Sequence, residues 1–263
     1  MLEQGLARAS DRRARIAQML REGRRLRVAD LVHEFGVTDT SIRRDLAILE
    51  AKGVLLRVHG GAVARASELR PKPVTDRMRL HLAEKQRIGD AAAKLIEPGE
   101  IVLFDSGTTT LQVAAHIPPT LRTSGMLTII TNSLRLAEDV MTWPAPNLIL
   151  LGGLCVPDYQ AIVGAQALEQ LEHLMVDKVF LGVDGLTLSE GATTADILMA
   201  ELNRRMAERA RQVILVTDSS KLGRAGFEPI VQVNQIHRLV TDSSAPEELV
   251  QALRAEGVQV DCV

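Results

Sequence analysis

From Glu100 onward one pattern repeats: a short, continuously apolar run, a polar or glycine-rich turn, then an amphipathic helix. The apolar runs are 101–104, 127–131, 147–151, 178–183, 213–217 and 238–241. Helical spacing of apolar residues predicts helices at 109–116, 133–140, 165–174, 196–210 and 246–256. A strand that is apolar on both faces has to be covered on both. Alternation with helices therefore implies a largely parallel sheet between two helical layers, an α/β fold.

Strands of a parallel sheet end at a common edge, so the turns that follow them converge there. Those turns are Asp105-Ser106-Gly107-Thr108-Thr109-Thr110, Thr131-Asn132, Gly152-Gly153, Asp184-Gly185 and Asp218-Ser219-Ser220-Lys221. The first resembles an anion cradle: Gly107 leaves backbone open, a helix starting near Thr108 offers unpaired N–H groups, and the threonines add hydroxyls. Lys221 supplies positive charge, and Asp105, Asn132 and Asp184 suit sugar hydroxyls. Singly, most such residues are helix caps or turns. Gathered on one edge they predict a phosphate-bearing ligand held by Asp105, Ser106, Gly107, Thr108, Thr109, Thr110, Thr131, Asn132, Gly152, Gly153, Asp184, Asp218 and Lys221. Neither Gly-x-x-x-x-Gly-Lys-[Ser/Thr] nor a post-strand Gly-x-Gly-x-x-Gly occurs, which argues against a P-loop nucleotidase or dinucleotide site.

The first quarter of the chain reads differently. Residues 1–65 carry 13 Lys and Arg against 8 Asp and Glu, a net +5, while the remainder carries 18 against 25, a net −7. Only the N-terminal part is thus suited to a polyanion. Helices are predicted at 11–22, 28–35 and 37–49, followed by two short apolar runs around Gly60-Gly61 that suggest a hairpin within 54–63. Three helices and a hairpin are the order of a winged helix-turn-helix, whose third helix enters the major groove. In the third helix Ile42, Leu46 and Leu49 form the inward stripe, Thr38 is the N-cap, and Val37 can staple to Ile42. The residues left over, Thr38, Thr40, Ser41, Arg43 and Arg44, are types that contact base edges and phosphates. Arg57 and His59 fall on or beside the wing. Residues 8–63 are therefore expected to form the DNA-binding domain, 64–80 with Pro71 and Pro73 a stiff linker, and 81–263 the effector-binding domain, opening on a helix at 81–96.

Four Phe, one Trp and one Tyr leave the core to Leu, Val, Ile and Ala, and argue against a single-strand nucleic-acid platform built on stacked rings. Cys155 and Cys262 show neither disulfide nor zinc spacing; Cys155 reads as structural, and a reducing compartment is expected. His33, His81, His116, His173 and His237 have no paired spacing, so no metal or cofactor is expected. No signal-type leader and no apolar run approaching 18 residues is present, which predicts a cytoplasmic protein without a membrane partner.

These residues resemble the DeoR family of bacterial transcriptional regulators. The likeness is carried by Val-Ala-Asp-Leu-Val-His-Glu-Phe-Gly-Val-Thr (28–38), Ser-Ile-Arg-Arg-Asp-Leu (41–46), Leu-Glu (49–50) and Arg-Val-His-Gly-Gly-Ala (57–62). In the body it is carried by Glu84-Lys85, Asp-Ser-Gly-Thr-Thr-Thr (105–110), Thr-Asn (131–132), Leu-Gly-Gly (151–153), Gly-Ala-Thr-Thr (191–194) and Asp-Ser-Ser-Lys (218–221). The resemblance implies a winged helix-turn-helix joined to a domain similar in fold to sugar-phosphate isomerases. It also implies a homo-oligomer, dimer or tetramer, that represses carbohydrate genes on double-stranded operator DNA until a phosphorylated sugar binds. Two positions depart from the family pattern: Asn203 stands where relatives often carry Lys, and Ala161 where a small hydroxyl residue is common. Both bear on which effector fits. The competing reading is a sugar-phosphate isomerase with an accessory N-terminal domain, using Asp105, Asp184 and Lys221 for proton transfer; a pure scaffold leaves the polar strand ends without a role.

Overall fold

The computed structural model describes residues 2–21, 26–51, 55–58, 61–64 and 73–263. It divides into two compact units, residues 1–70 with 224–227 and residues 71–223 with 228–263. Among the described residues no helix is long and apolar enough to cross a membrane.

The first unit contains α1 (Leu2–Arg21), β1 (Leu26–Arg27), α2 (Val28–Phe35), α3 (Asp39–Ala51), β2 (Leu55–Val58) and β3 (Gly61–Ala64). Ile16, Met19 and Leu20 of α1, Leu31 of α2 and Ile42, Leu46 and Leu49 of α3 close on Leu55 and Ala62 to form its core. Gly36 ends α2 in the left-handed conformation at φ 60°, its N–H donating to the Val32 carbonyl. Thr38 then caps α3: its Oγ1 accepts from the Ser41 N–H at 3.3 Å, and its carbonyl accepts from Ile42 N at 3.1 Å. Val37 packs on the cluster that holds Ile42, as a staple requires.

One residue of this helix was not foreseen as part of the core. Asp45 is 3% exposed and accepts from Arg12 Nε at 2.6 Å and Arg13 Nη1 at 3.1 Å, tying α3 to α1. It lies three residues after Ile42 and four before Leu49, on the inward stripe. Strands β2 and β3 pair antiparallel from Leu55↔Ala64 to Val58↔Gly61. The two-residue β1 adds to β3 through Leu26↔Ala62 and Arg27↔Gly61; it is too short to show any periodicity. α1 also begins well before the expected residue 11, at Leu2.

The second unit runs α4 (Val74–Arg79), α5 (Leu82–Ala93), β4 (Ile101–Phe104), α6 (Thr108–Ala115), α7 (Pro119–Ser124), β5 (Thr128–Thr131), α8 (Leu134–Val140), β6 (Asn147–Leu150), β7 (Leu154–Val156) and β8 (Ala161–Val163). It continues with α9 (Ala165–Glu172), β9 (Val176–Leu181), β10 (Gly185–Thr187), β11 (Gly191–Thr194), α10 (Ile197–Glu208), β12 (Ala210–Val216), β13 (Glu228–Val231), β14 (Arg238–Thr241), α11 (Glu247–Ala255) and β15 (Gln259–Cys262). Seven strands form one sheet in the order β15-β14-β12-β9-β4-β5-β6, parallel at every pairing. Side chains alternate across it. Val102, Phe104, Ile129, Phe180, Ile214 and Val216 face the layer of α5, α6 and α8, while Leu103, Ile130, Val179, Leu181, Val213 and Leu215 face that of α9, α10 and α11. Strand order reverses between β4 and β9, the place where open α/β sheets bind ligands at the carboxyl ends of their strands.

The sequence reading missed four parts of this unit: the short α7, β15, the antiparallel sheet β10-β11-β13, and the β7–β8 hairpin. Most of these strands lack the apolar runs of the central sheet, and β7 and β8, though apolar, are only three residues long. Cys155, read as structural, is exposed on β7. The expected linker 64–80 is corrected at its end: 74–79 is a helix whose Val74 is buried and donates its N–H to the Asp158 carbonyl at 2.9 Å. Prolines 71 and 73 marked a break, yet Pro73 serves as the N-cap of α4.

Removing the Asp45 carboxylate leaves Arg12 and Arg13 without their buried acceptor. Asp45→Ala is expected to destabilise the first unit by about 2–3 kcal/mol, less than the roughly 3–5 kcal/mol for breaking a fully buried pair, because both arginines are partly exposed. Hydrogen exchange on the full chain checks it: amides of α1 and α3 should lose protection while those of β4, β9 and β12 keep theirs.

Candidate functional site

Two regions carry the residues singled out in the sequence. The first is the outer face of α3. With Ile42, Asp45, Leu46 and Leu49 inward, Thr38, Asp39, Thr40, Arg43 and Arg44 are exposed and Ser41 is half-buried. The side-chain oxygens of Thr38 and Ser41 lie 3.0 Å apart. Arg43 pairs with Asp39 one turn back, its Nη2 at 3.3 Å from Oδ2, so its guanidinium is held along the helix rather than loose in solvent. Sequence reasoning gave Asp39 no part; it lies in the first turn, where negative charge suits the helix dipole, and it orients Arg43. Arg57 is described by its backbone in β2, opposite Ala62 of β3, and His59 lies outside the described residues.

The second region is the carboxyl edge of the large sheet. Asp105 follows β4 at the strand-order reversal and is 3% exposed. Its Oδ1 accepts from Gly107 N–H and Thr110 Oγ1, both at 2.8 Å; its Oδ2 accepts from Gly182 N–H at 3.0 Å, with Asn203 Nδ2 at 3.5 Å. The carboxylate therefore turns the chain into α6 and ties the ends of β4 and β9 together, instead of waiting for a sugar hydroxyl. Burial pushes its pKa up to about 6, against the opposing pull of the Gly107, Thr110 and Gly182 donors. The close approach needs glycine: a Cβ at Gly107 would sit 2.9 Å from Asp105 Oδ1 and 3.3 Å from the Gly182 Cα.

Several other predicted residues prove to shape the edge. Thr110 is fully buried on Asp105, and Thr108 and Thr109 are buried in the first turn of α6. Thr131 donates to the Phe104 carbonyl at 2.9 Å and accepts from Ser133 N–H at 3.0 Å. Asn132 donates to the Ile162 carbonyl at 3.0 Å, and Asp218 accepts from Ser220 N–H at 3.1 Å, capping the short turn that carries Lys221. Gly152 donates to Gln170 at 3.1 Å, and Gly153 lies exposed beside it. Buried polar atoms without a partner among the described residues remain on Ser106 (Oγ), Asn132 (Oδ1) and Asn203 (Oδ1). Such atoms at a strand edge are what a bound polar ligand or ordered water satisfies.

Two of the charges, Arg77 and Lys85, come from elements that the sequence reading did not assign to this edge. Asp184 accepts from Thr194 Oγ1 at 3.0 Å and Ala195 N–H at 3.1 Å, and its other oxygen lies 4.0 Å from both Arg77 Nη1 and Lys221 Nζ. Arg77 belongs to α4 and stacks over Tyr159, 4.8 Å from the ring centroid. Lys85 is buried and donates to the carbonyls of Arg77 at 2.6 Å and Leu80 at 2.7 Å, clasping α4 to α5. Burial lowers its pKa to about 8; Lys221 and Arg77 push the same way, and Asp218 resists. Burial and Asp184 hold the Tyr159 hydroxyl neutral, with its pKa raised. Glu84-Lys85 was visible as a motif but without a role, and nothing local distinguishes Arg77 from any other arginine beside a linker.

Family profiles match both parts of the chain: one described as a DeoR-like helix-turn-helix domain over residues 12–68, the other as the DeoR C terminal sensor domain over 80–243. Among relatives, a provisionally named aga operon transcriptional repressor of Escherichia coli O157:H7 is 35% identical, covering 98% of this chain and 95% of that protein. The HTH-type transcriptional regulator GlpR of Haloferax volcanii is 32% identical over 95% of this chain and 96% of its own length. The HTH-type transcriptional repressor GlcR of Bacillus subtilis (strain 168) is 30% identical over 95% of each. A solved ribose 5-phosphate isomerase from Methanocaldococcus jannaschii aligns at 17% identity over 52% of this chain and 53% of that one, with a TM-score of 0.39, too low to bear on function.

The buried acid makes a pH-dependent contribution. With the folded group titrating near 6 and the ordinary value at 3.8, the native unit binds more protons than the unfolded chain between those limits. Its contribution is thus fully present below about pH 4 and lost as pH rises through 6. Urea unfolding of wild type and Asp105→Asn between pH 4 and 7 should show wild type losing stability relative to the variant across that window. A difference that stays constant contradicts the assignment.

Proposed function

This chain belongs to the DeoR family and is a DNA-binding transcriptional regulator, and on that premise we propose that it represses genes of carbohydrate metabolism and leaves its operator when a phosphorylated sugar binds. The observation that carries the reading is the partition of α3: apolar residues and Asp45 inward, Thr40, Arg43 and Arg44 outward, in a unit of three helices and a small antiparallel sheet. Residues 8–63 are the DNA-binding domain. The effector domain is 81–263, with α4 counted alongside it because Val74 and Arg77 pack there. Thr38, Thr40, Ser41, Arg43 and Arg44 contact the major groove or its phosphates, and Arg57 and His59 the flanking backbone. In a dimer, or a tetramer built from dimers, two copies of α3 address grooves about one helical turn or a multiple apart.

The effector is held at the carboxyl edge of the sheet. Ser106 and Gly107, Thr108 and Thr109, Asn132, Gly152, Gly153 and Lys221 face it, while Asp105, Thr110, Thr131 and Asp218 hold that edge in shape; Asp184 sits between the cations. The ligand releases the operator only as far as its affinities for the bound and free arrangements differ. The protein works in the cytoplasm, on the nucleoid when repressing.

It is a regulator rather than an enzyme. The side chains agree with that. Asp105 is occupied by Gly107, Thr110 and Gly182, and Lys85 by two backbone carbonyls, which leaves neither positioned to move a substrate proton.

An operator selected from random duplexes, titrated with salt, tests the DNA contacts. Arg43→Ala and Arg44→Ala should each weaken binding uniformly across sequences and lower the salt slope by about one unit for each phosphate no longer neutralised. Unchanged affinity and slope in both variants refute the assignment. Adding pentose and hexose phosphates to the complex then tests the effector: a phosphorylated sugar should release the DNA where the same sugar without phosphate does not, and retention by every compound refutes that half.

A further inference from the structure

Helix α4 stands directly after the stretch 65–72 that joins the two units in chain order, yet it sends a side chain into the charged edge of the second. We propose that Arg77 is the residue that grips the effector's anionic group, so that ligand capture acts on the segment leading back to the DNA-binding unit. This inference rests on the reading of the carboxyl edge as the effector site, and adds the residue that binds the anion and the element that responds.

Three observations carry it. The first is the guanidinium's donors. Nη1 lies a loose 4.0 Å from Asp184, while Nε and Nη2 are buried with no partner among the described residues. Those two nitrogens form one side of the guanidinium fork, the side that takes a carboxylate or phosphate through two parallel hydrogen bonds. A buried arginine edge without acceptors is unfavourable alone and is satisfied by an anion.

The second is the setting. The Arg77 charge reaches Asp105, whose turn carries the unpartnered Ser106 hydroxyl, and Asn203 with its unpartnered Oδ1 lies against Asp105. Lys221 shares Asp184 with Arg77, each 4.0 Å from the carboxylate, so an arriving anion meets two loosely paired cations. The chemistry selected is a phosphate ester or a carboxylate rather than a neutral sugar.

The third is how α4 is attached. It is held by the Val74 N–H on Asp158, the Arg77 stack on Tyr159, and Lys85 Nζ on the carbonyls of Arg77 and Leu80. The helix then joins α5 through His81, a non-glycine residue in the left-handed region at φ 52°. L-residues adopt that conformation only under constraint, so the joint is strained and sensitive to where α4 rests. An anion that draws the guanidinium from Asp184 also moves it on the Tyr159 ring, and so alters one of the three attachments of α4.

Calorimetric titration of the full chain with inorganic phosphate, then with a panel of pentose and hexose phosphates and their unphosphorylated sugars, provides the probe. For a compound that binds wild type, Arg77→Gln should weaken affinity at least about tenfold and Arg77→Lys should recover part of it, as a bidentate, charge-assisted grip predicts. Equal affinity in Arg77→Gln overturns the inference and leaves the effector reading standing. Failure of wild type to bind any phosphate compound overturns both. Should Arg77→Gln fold poorly, hydrogen exchange of wild type decides: saturating ligand should change protection across 74–80, and unchanged amides there overturn the inference.

Discussion

A carboxylate taken out of water has to be given hydrogen bonds by the protein, and in the larger unit that demand organises the carboxyl edge of the sheet. Asp105 gathers the N–H groups of Gly107 and Gly182 and the Thr110 hydroxyl, so one side chain turns β4 into α6 and ties it to β9. These are the two strands between which the sheet reverses its order. The contact leaves no room for a side chain at Gly107, where the neighbouring strand's backbone already lies within van der Waals reach of a Cβ. The turn after β4 is thus a built joint first. What the joint leaves unused is the Ser106 hydroxyl, which has no partner among the described residues.

Charge is supplied around this joint by elements from four different parts of the chain. Arg77 comes from α4, Lys85 from α5, Asp184 from the end of β9 and Lys221 from the turn after β12. The core beneath them is almost wholly aliphatic, yet the chain's single tyrosine lies under the Arg77 guanidinium. A cation stacked on a ring and loosely paired keeps most of its donors for something else, whereas Lys85, donating to two carbonyls, is already committed. What surrounds the two cations, and not their charge, sets their roles apart.

The smaller unit divides its charges in the same manner. In Arg43-Arg44-Asp45-Leu46 the arginines point out and the aspartate points in, because a helix advances about 100° per residue and Asp45 shares the stripe of Ile42 and Leu49. Arg12 and Arg13, part of the basic excess read as attraction for a polyanion, are used in part to neutralise that buried acid. Net charge counted along a sequence cannot separate cations aimed at a partner from cations holding the fold together.

The chain's residues alone determined the alternation of strands and helices, the helix-covered parallel sheet they require, the basic three-helix unit ahead of it, and the inward stripe and N-cap of α3. All of these follow from local periodicity and from Thr, Gly and Pro at element ends, which act over a few residues. Only tertiary structure decided that Asp105, Thr131 and Asp218 shape the carboxyl edge, that residues 74–79 are a docked helix, and that Arg77 reaches Tyr159 and Asp184. Those outcomes depend on contacts between residues separated by tens of positions, such as the Asp105–Gly182 bond and the Arg77–Asp184 pair. No local pattern encodes which distant donor a buried carboxylate will meet, because that partner is chosen by how the strands are ordered in space.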